Sequence, residues 1–279
     1  MKPEIFSEIG PIEKVIVHAP GDEHNRVLPM HVQQYIEEQD KVTKNKEFLL
    51  FDDIIDIKLA KAQHQTFKDI INFYRPNSCI EISSLYEDKD SFDNLLEDRF
   101  PPINLMYTRD IAAIIGNNIF LTYSHSMVRR KESALAEDLF NSSIFEDYTT
   151  INFKEIGQGL SLEGGDIFVI SNEIVFIGIS ERTSKEAIDL IIPYIFKQNF
   201  KHVIALDLPK KRSMMHLDTI FTQISKNEAI LFDDLESNSI SNLDVYLASK
   251  SNETQKLEKI DNNILALFKT FGFDFQIHH

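Results

Sequence analysis

Cysteine is almost missing from this chain, and tryptophan is missing altogether: 279 residues hold one Cys and no Trp. One thiol cannot close an intramolecular disulfide, so a disulfide-stapled scaffold is excluded and a reducing compartment is favoured. A cysteine-rich zinc module is excluded for the same reason. No apolar run reaches the roughly 18–20 residues of a membrane-spanning helix. The opening Met1-Lys2-Pro3-Glu4-Ile5 lacks the apolar core of a secretory signal. These absences predict a cytoplasmic protein with no membrane partner. Positive charge is scarce as well: 29 Lys+Arg stand against 44 Asp+Glu, a net charge of −15. That balance argues against nucleic acid as a partner and suits a cationic small molecule; it equally describes an ordinary soluble surface. Hydrophobic residues make up 43% of the chain, ample for a core. The length fits one large domain or two small ones.

What is present is a short-period alternation of apolar runs and amphipathic stretches. Lys14–His18 reads as a buried strand. Residues 21–50 read as a surface loop with a short helix near 30–41. Phe51–Tyr74 has helical spacing behind an Asp52-Asp53 cap. Cys79–Ile82 reads as a strand and Asp90–Phe100 as a short helix. Then hairpins recur: Ile111–Ile115 with Ile119–Tyr123, Ile167–Ile170 with Ile174–Ile179, and Leu217–Ile224 with Ala229–Phe232. Each is followed by a helix (Arg129–Phe140, Thr183–Asn199, Glu253–Phe271). Strands Val203–Leu208 and Phe273–His278 follow the second and third. The expected class is α/β, built from ββαβ modules at 111–152, 167–208 and 217–278 related by pseudosymmetry. A doubly wound sheet is the competitor; no G-x-G-x-x-G follows the first strand, and hairpins imply antiparallel pairing.

Polar constellations open these modules. Asn104-Leu105-Met106-Tyr107-Thr108-Arg109-Asp110 precedes the first hairpin. Its Asp110 is either aimed at a ligand cation or part of a surface ion pair. Leu162-Glu163-Gly164-Gly165-Asp166 opens the second; its glycines permit close backbone approach or an ordinary turn. Met215-His216-Leu217-Asp218-Thr219 opens the third. In a strand, His216 and Asp218 would share a face, a candidate acid/base pair or simply a hydrogen-bonded histidine. Arg129 and Arg182 precede module helices, as carboxylate clamps or exposed basic turns, and Ser180 or Thr183 could cap a helix. Jointly, carboxylates at equivalent positions suit a cationic group and arginines an anionic one. Arginine carries both.

These segments resemble arginine deiminases, in the guanidine-modifying (pentein) superfamily. The similarity runs in order through Ser7–Gly10, His18–Gly21, Leu49–Asp53, Asn104–Asp110, Arg129–Glu132, Glu163–Asp166, Gly178–Thr183 and Met215–Thr219. It implies a single pentein domain over 1–279, an α/β propeller of pseudosymmetric ββαβ modules with about four of five present, C-terminally incomplete. It implies that Asp110 and Asp218 clamp a guanidinium, and that His216 is the general acid/base, oriented by Glu163. Asn104, Arg129 and Arg182 would hold the substrate's α-amino and α-carboxylate end. Tyr107 stands where a stacking Phe is expected. The implied reaction converts L-arginine and water to L-citrulline and ammonia through an amidino-cysteine intermediate, without metal or organic cofactor. The implied nucleophile lies in a Gly-rich loop beyond the last strand, and no such cysteine is present; Cys79 reads as a structural thiol. An amidinotransferase, a dimethylarginine hydrolase and a non-catalytic arginine-binding protein are the alternatives. Expected partners are a guanidino small molecule and no nucleic acid, with a homo-oligomer left open.

Overall fold

The computed structural model describes residues 4–38, 41–85, 101–232, 242–260 and 263–278. Two compact units emerge. The first comprises Pro11–Ile111 and Ser126–Leu139; the second comprises Met1–Gly10, Ala112–His125 and Phe140–His279.

In the first unit, strand β1 (Val15–Val17) precedes a hairpin of β2 (Tyr35–Glu38) and β3 (Lys41–Lys44). The rest of 21–50 is loop as expected, with single 3-10 turns at Asp22–Arg26 and Pro29–Val32, but the hairpin stands where most of the short helix expected near 30–41 would lie. Its strands pair antiparallel from Tyr35↔Lys44 to Glu38↔Lys41. Asn45 ties its base: the side-chain amide donates to the carbonyls of Met30 (2.7 Å) and Gln33 (2.8 Å), and Oδ1 accepts from the Glu47 amide. Helix α1 (Ile57–Tyr74) starts later than its apolar spacing suggests. Asp56, not Asp52 or Asp53, is the cap, accepting from the amides of Lys58 and Leu59. The chain then returns as β4 (Cys79–Glu81), parallel to β1. The helix expected over Asp90–Phe100 lies outside the described residues. Leu49, Ile103 and Val128 form a small core. Most of helix α2 (Arg130–Phe140) belongs to this unit.

The second unit holds three sheets of one design. In the first, β5 (Ala112–Ile115) and β6 (Asn118–Leu121) form a hairpin, and β7 (Thr149–Asn152) lies parallel to β6. In the second, β8 (Ile167–Val169) and β9 (Ile174–Ile179) form a hairpin. Helix α3 (Lys185–Lys197) follows, and β10 (His202–Asp207) lies parallel to β9. In the third, β11 (Phe221–Ser225) and β12 (Glu228–Leu231) form the hairpin. The second sheet is extended antiparallel by β13 (Val245–Ser249) and β14 (Glu258–Ile260). Helix α4 (Ile264–Thr270) and β15 (Gln276–His278), parallel to β12, complete the third sheet. The expected helix over Glu253–Phe271 is thus corrected. Residues 258–260 pair with β13, and Asn263 starts the helix by accepting from the amides of Leu265 and Ala266.

The ββαβ pattern read from sequence is present three times. The architecture is α/β; among the described residues every sheet is open, and no strand order closes on itself. The central sheet is buried on both faces, and the period of two shows it. Val175 and Ile177 face one apolar cluster, with Ile188, Ile191 and Ile195 of α3. Ile174 and Phe176 face the other, with Phe221 and Phe268. Burial on both faces explains the unbroken apolar run Ile174-Val175-Phe176-Ile177 and rigidly fixes the loops at its ends.

Candidate active site

Those loops bring together four sequence segments of the second unit. Glu163 is almost wholly buried, just before the turn Gly164–Asp166. Its Oε1 accepts from the Ser124 hydroxyl at 2.7 Å and the His125 amide at 3.0 Å. Its Oε2 lies 2.8 Å from His216 Nε2. Two protein donors thus fill Oε1, and the imidazole stands against Oε2. With the carboxylate as acceptor, Nε2 is assigned the hydrogen of this contact, and Nδ1 is the nitrogen on the side of Asp218. The Thr219 hydroxyl fixes the same residue from the other side, donating to the His216 carbonyl at 2.7 Å. Asp218 Oδ1 stands 4.0 Å from Nδ1, within electrostatic reach and beyond a hydrogen bond.

Asp166 is fully buried. It accepts from the Ser180 hydroxyl (2.7 Å) and the Leu217 amide (3.0 Å). Burial pushes its carboxyl up to about 7, although the nearby His216 charge and its hydrogen bonds with Ser180, Thr183 and Leu217 pull the other way. Ser180 and Thr183 do not cap α3; Ser184 does, accepting from the Ala187 amide. Ser180 Oγ instead accepts from the amides of Arg182 and Thr183, and Thr183 Oγ1 accepts from the Glu163 amide. Arg182 is buried, and its Nε has no hydrogen-bond partner among the described residues. A buried guanidinium N–H left without an acceptor is costly, and an anionic ligand would remove that cost.

The first unit gathers Asn104, Asp110 and Arg129. Arg129 Nη1 donates to Asp110 Oδ2 at 2.6 Å, and Nε donates to Glu132 Oε2 at 2.8 Å; all three side chains are buried. The Asn104 amide donates to the Leu49 carbonyl at 2.7 Å. So the carboxylate read as a guanidinium clamp already grips a guanidinium, that of Arg129. Tyr107 is half-exposed, its ring centroid 6.3 Å from that of Phe51. Cys79 sits on β4, partly buried, with Sγ 3.9 Å from the Lys68 carbonyl.

The geometry therefore groups Glu163, His216, Asp218 and Arg182 in one unit and Asn104, Asp110 and Arg129 in the other. Ser124, Thr183 and Glu132 are contributors that sequence reasoning did not assign. The signal for Glu132 was its three-residue spacing from Arg129 on a helix. Hydroxyls such as Ser124 carry no such signal.

A family model described as "Arginine deiminase" matches residues 80–270. An arginine deiminase of Borreliella burgdorferi (strain ZS7) is 30% identical, over 79% of this chain and 66% of that protein. One of Listeria monocytogenes serotype 4b (strain CLIP80459) is 26% identical, over 88% of this chain and 72% of that protein. The chain thus spans slightly less than two thirds of the length of the Borreliella relative. Among solved structures, a Pseudomonas aeruginosa DDAH mutant complexed with citrulline is similar with a TM-score of 0.51 at 14% identity. That match covers 95% of this chain and 91% of that one.

Proposed function

The chain belongs to the arginine deiminase family, and on that premise we propose that it binds the guanidino group of L-arginine and serves its hydrolysis to L-citrulline and ammonia. The observation that carries the reading is the dyad of Glu163 and His216. A buried carboxylate, itself anchored by the Ser124 hydroxyl and the His125 amide, fixes the imidazole 2.8 Å away, the arrangement of an oriented acid/base histidine. In this reading a cysteine thiolate bonds to the guanidinium carbon as the C–N bond breaks, His216 giving the departing ammonia its proton; water then displaces the thiolate, His216 taking one of its protons, and citrulline is released. Asp110 and Asp218 hold the planar cation, the Asp110 carboxylate accepting from Arg129 as well. Asn104, Arg129 and Arg182 receive the α-amino and α-carboxylate end, and Tyr107 flanks it. We read the ββαβ modules as blades of a pentein-type propeller forming a single domain over 1–279.

A second reading has its own observation. The family reaction needs a thiolate, and Cys79, the one cysteine of these 279 residues, lies on β4 with Sγ 3.9 Å from the Lys68 carbonyl. A lone thiol in that setting is a packing group. The alternative is therefore a protein that binds arginine without turning it over.

Two measurements on the purified 279-residue chain separate these. Calorimetric titration with L-arginine is expected to show binding, weakened about 10-fold or more by Arg182→Met, which removes charge-assisted hydrogen bonds. Citrulline formation is assayed in parallel. Binding with turnover supports the hydrolase; binding without turnover supports the second reading. No binding at millimolar arginine refutes both. Turnover lost in Cys79→Ser would make Cys79 the nucleophile and overturn its placement as a packing group.

A further inference from the structure

The hydrogen bonds around Asp166 form a closed circuit. Asp166 Oδ2 accepts from the Ser180 hydroxyl, and Ser180 Oγ accepts from the amide of Thr183. Thr183 Oγ1 accepts from the amide of Glu163. Glu163 Oε2 meets His216 Nε2. His216 is covalently followed by Leu217, whose amide donates back to Asp166 Oδ1 at 3.0 Å. Three loops from two modules are thereby locked: the turn before β8, the connection from β9 to α3, and the approach to β11. Every member belongs to a residue that is less than a tenth exposed. The space is made to fit. A Cβ on Gly178 would lie 2.5 Å from Asp166 Oδ1 and 3.0 Å from Leu217 Cβ.

We propose that Asp166 is a positioning residue for His216: by holding the Leu217 amide and the Ser180 hydroxyl at once, it sets the imidazole's distance and angle to Glu163. It touches neither His216 nor a substrate in this role. It acts on the backbone one residue after the histidine and, through Ser180 and Thr183, on the backbone of the glutamate. Burying a carboxylate completely is unfavourable unless its bonds do work elsewhere in the structure. One of its donors, the Leu217 amide, directly follows the histidine, and the other, the Ser180 hydroxyl, lies on the loop whose Thr183 holds the Glu163 amide, so the circuit is the return. Asn is the informative replacement. It keeps the shape and can still accept from Leu217, but turns an N–H towards the Ser180 hydroxyl, whose oxygen already accepts from two amides.

The inference rests on His216 being the acid/base group of the proposed function, but its test does not depend on turnover. In the full chain, the imidazole Nε2–H held by Glu163 is expected as a sharp, slowly exchanging downfield proton resonance, assigned by its disappearance in Glu163→Gln. Asp166→Asn is expected to lose or broaden that resonance while far-ultraviolet circular dichroism and a cooperative melt persist. Ser180→Ala, which removes one arm of the clamp, is expected to broaden it partly and serves if Asp166→Asn does not fold. A resonance unchanged in a folded Asp166→Asn or Ser180→Ala chain overturns the positioning role. If the wild-type chain shows the resonance and the variants lose it, yet arginine is neither bound nor hydrolysed, the proposed function fails and the positioning survives.

Discussion

Glu163 shows what a residue's surroundings add to its identity. The motif Glu163-Gly164-Gly165-Asp166 was legible as a tight turn holding two acids. What distinguishes the two acids was not. Glu163 meets its hydroxyl partner 39 positions away at Ser124 and its imidazole 53 positions away at His216. Serines are too common for such a pairing to be read from spacing. Asp166, three residues on, is pushed by burial up to about 7. The sign of its effect on stability follows. The unfolded carboxyl titrates near its ordinary value of 3.8. Between the two values the native state holds a proton that the unfolded chain has released. The stability from this group is therefore full below about 3.8 and is lost as pH rises through about 7. Glu23 and Glu81 act oppositely. Burial would raise both, but hydrogen bonds from His18 and the Gly21 amide, and from Lys68 and the Ala19 amide, win and lower them. Their contributions are present at neutral pH and lost on acidification. Subtracting Asp166→Asn from wild type in urea titrations isolates the one group. The difference is expected to shrink between pH 4 and 7, by at most about 1.4 kcal/mol per pH unit. A difference that grows with pH over that range contradicts the assignment. Gly178→Ala is expected to cost about 1–3 kcal/mol, because its methyl would collide with the Asp166 carboxylate; unchanged urea stability would show that the pocket has room.

At the scale of elements, the second module is set firmly and α1 is not. Along α3, Ala187, Ile188, Ile191, Ile192, Ile195 and Phe196 are buried at helical spacing. Helix α1 buries no residue, and Phe67, Ile70, Phe73 and Tyr74 are half or more exposed. Amides of β9, β10 and α3 should exchange most slowly with deuterium, and those of α1 should exchange fastest among the longer helices. Ile191→Ala should cost about 2–5 kcal/mol and Ile70→Ala under about 0.5; comparable losses at both sites would mean that α1 is buried in solution. The hairpins were legible because polar turns such as Gly116-Asn117 separate β-branched runs. Strand β13 was not. Val245-Tyr246-Leu247-Ala248-Ser249 is short and its apolar pattern has no clear period, so the deciding fact is the open edge of β10 that it pairs with. Once β13 lies there, Glu258–Ile260 completes the next ladder, which shortens the helix that local propensity favours.

At the scale of the molecule, the scarcity of basic residues and the proposed cationic ligand meet. A net charge of −15 raises the local concentration of a guanidinium ligand and makes its binding weaken with salt. Within this field, the buried Arg182 is an exception, with an Nε that awaits an acceptor. The two features ask for opposite charges on one molecule. Ligand-linked stability tests this without any assay of chemistry: a ligand present at 100 times its dissociation constant stabilises the native chain by about 2.7 kcal/mol. L-Arginine is therefore expected to raise the melting temperature by several degrees. Agmatine, which keeps the guanidinium and lacks the carboxylate, should raise it less at the same concentration. In Arg182→Met the gap between the two ligands should close, because the group that tells them apart is gone. Equal shifts from both ligands in the wild-type chain would remove carboxylate recognition by Arg182. A shift from L-lysine as large as that from L-arginine would show that the carboxylates read charge alone and not the planar guanidinium.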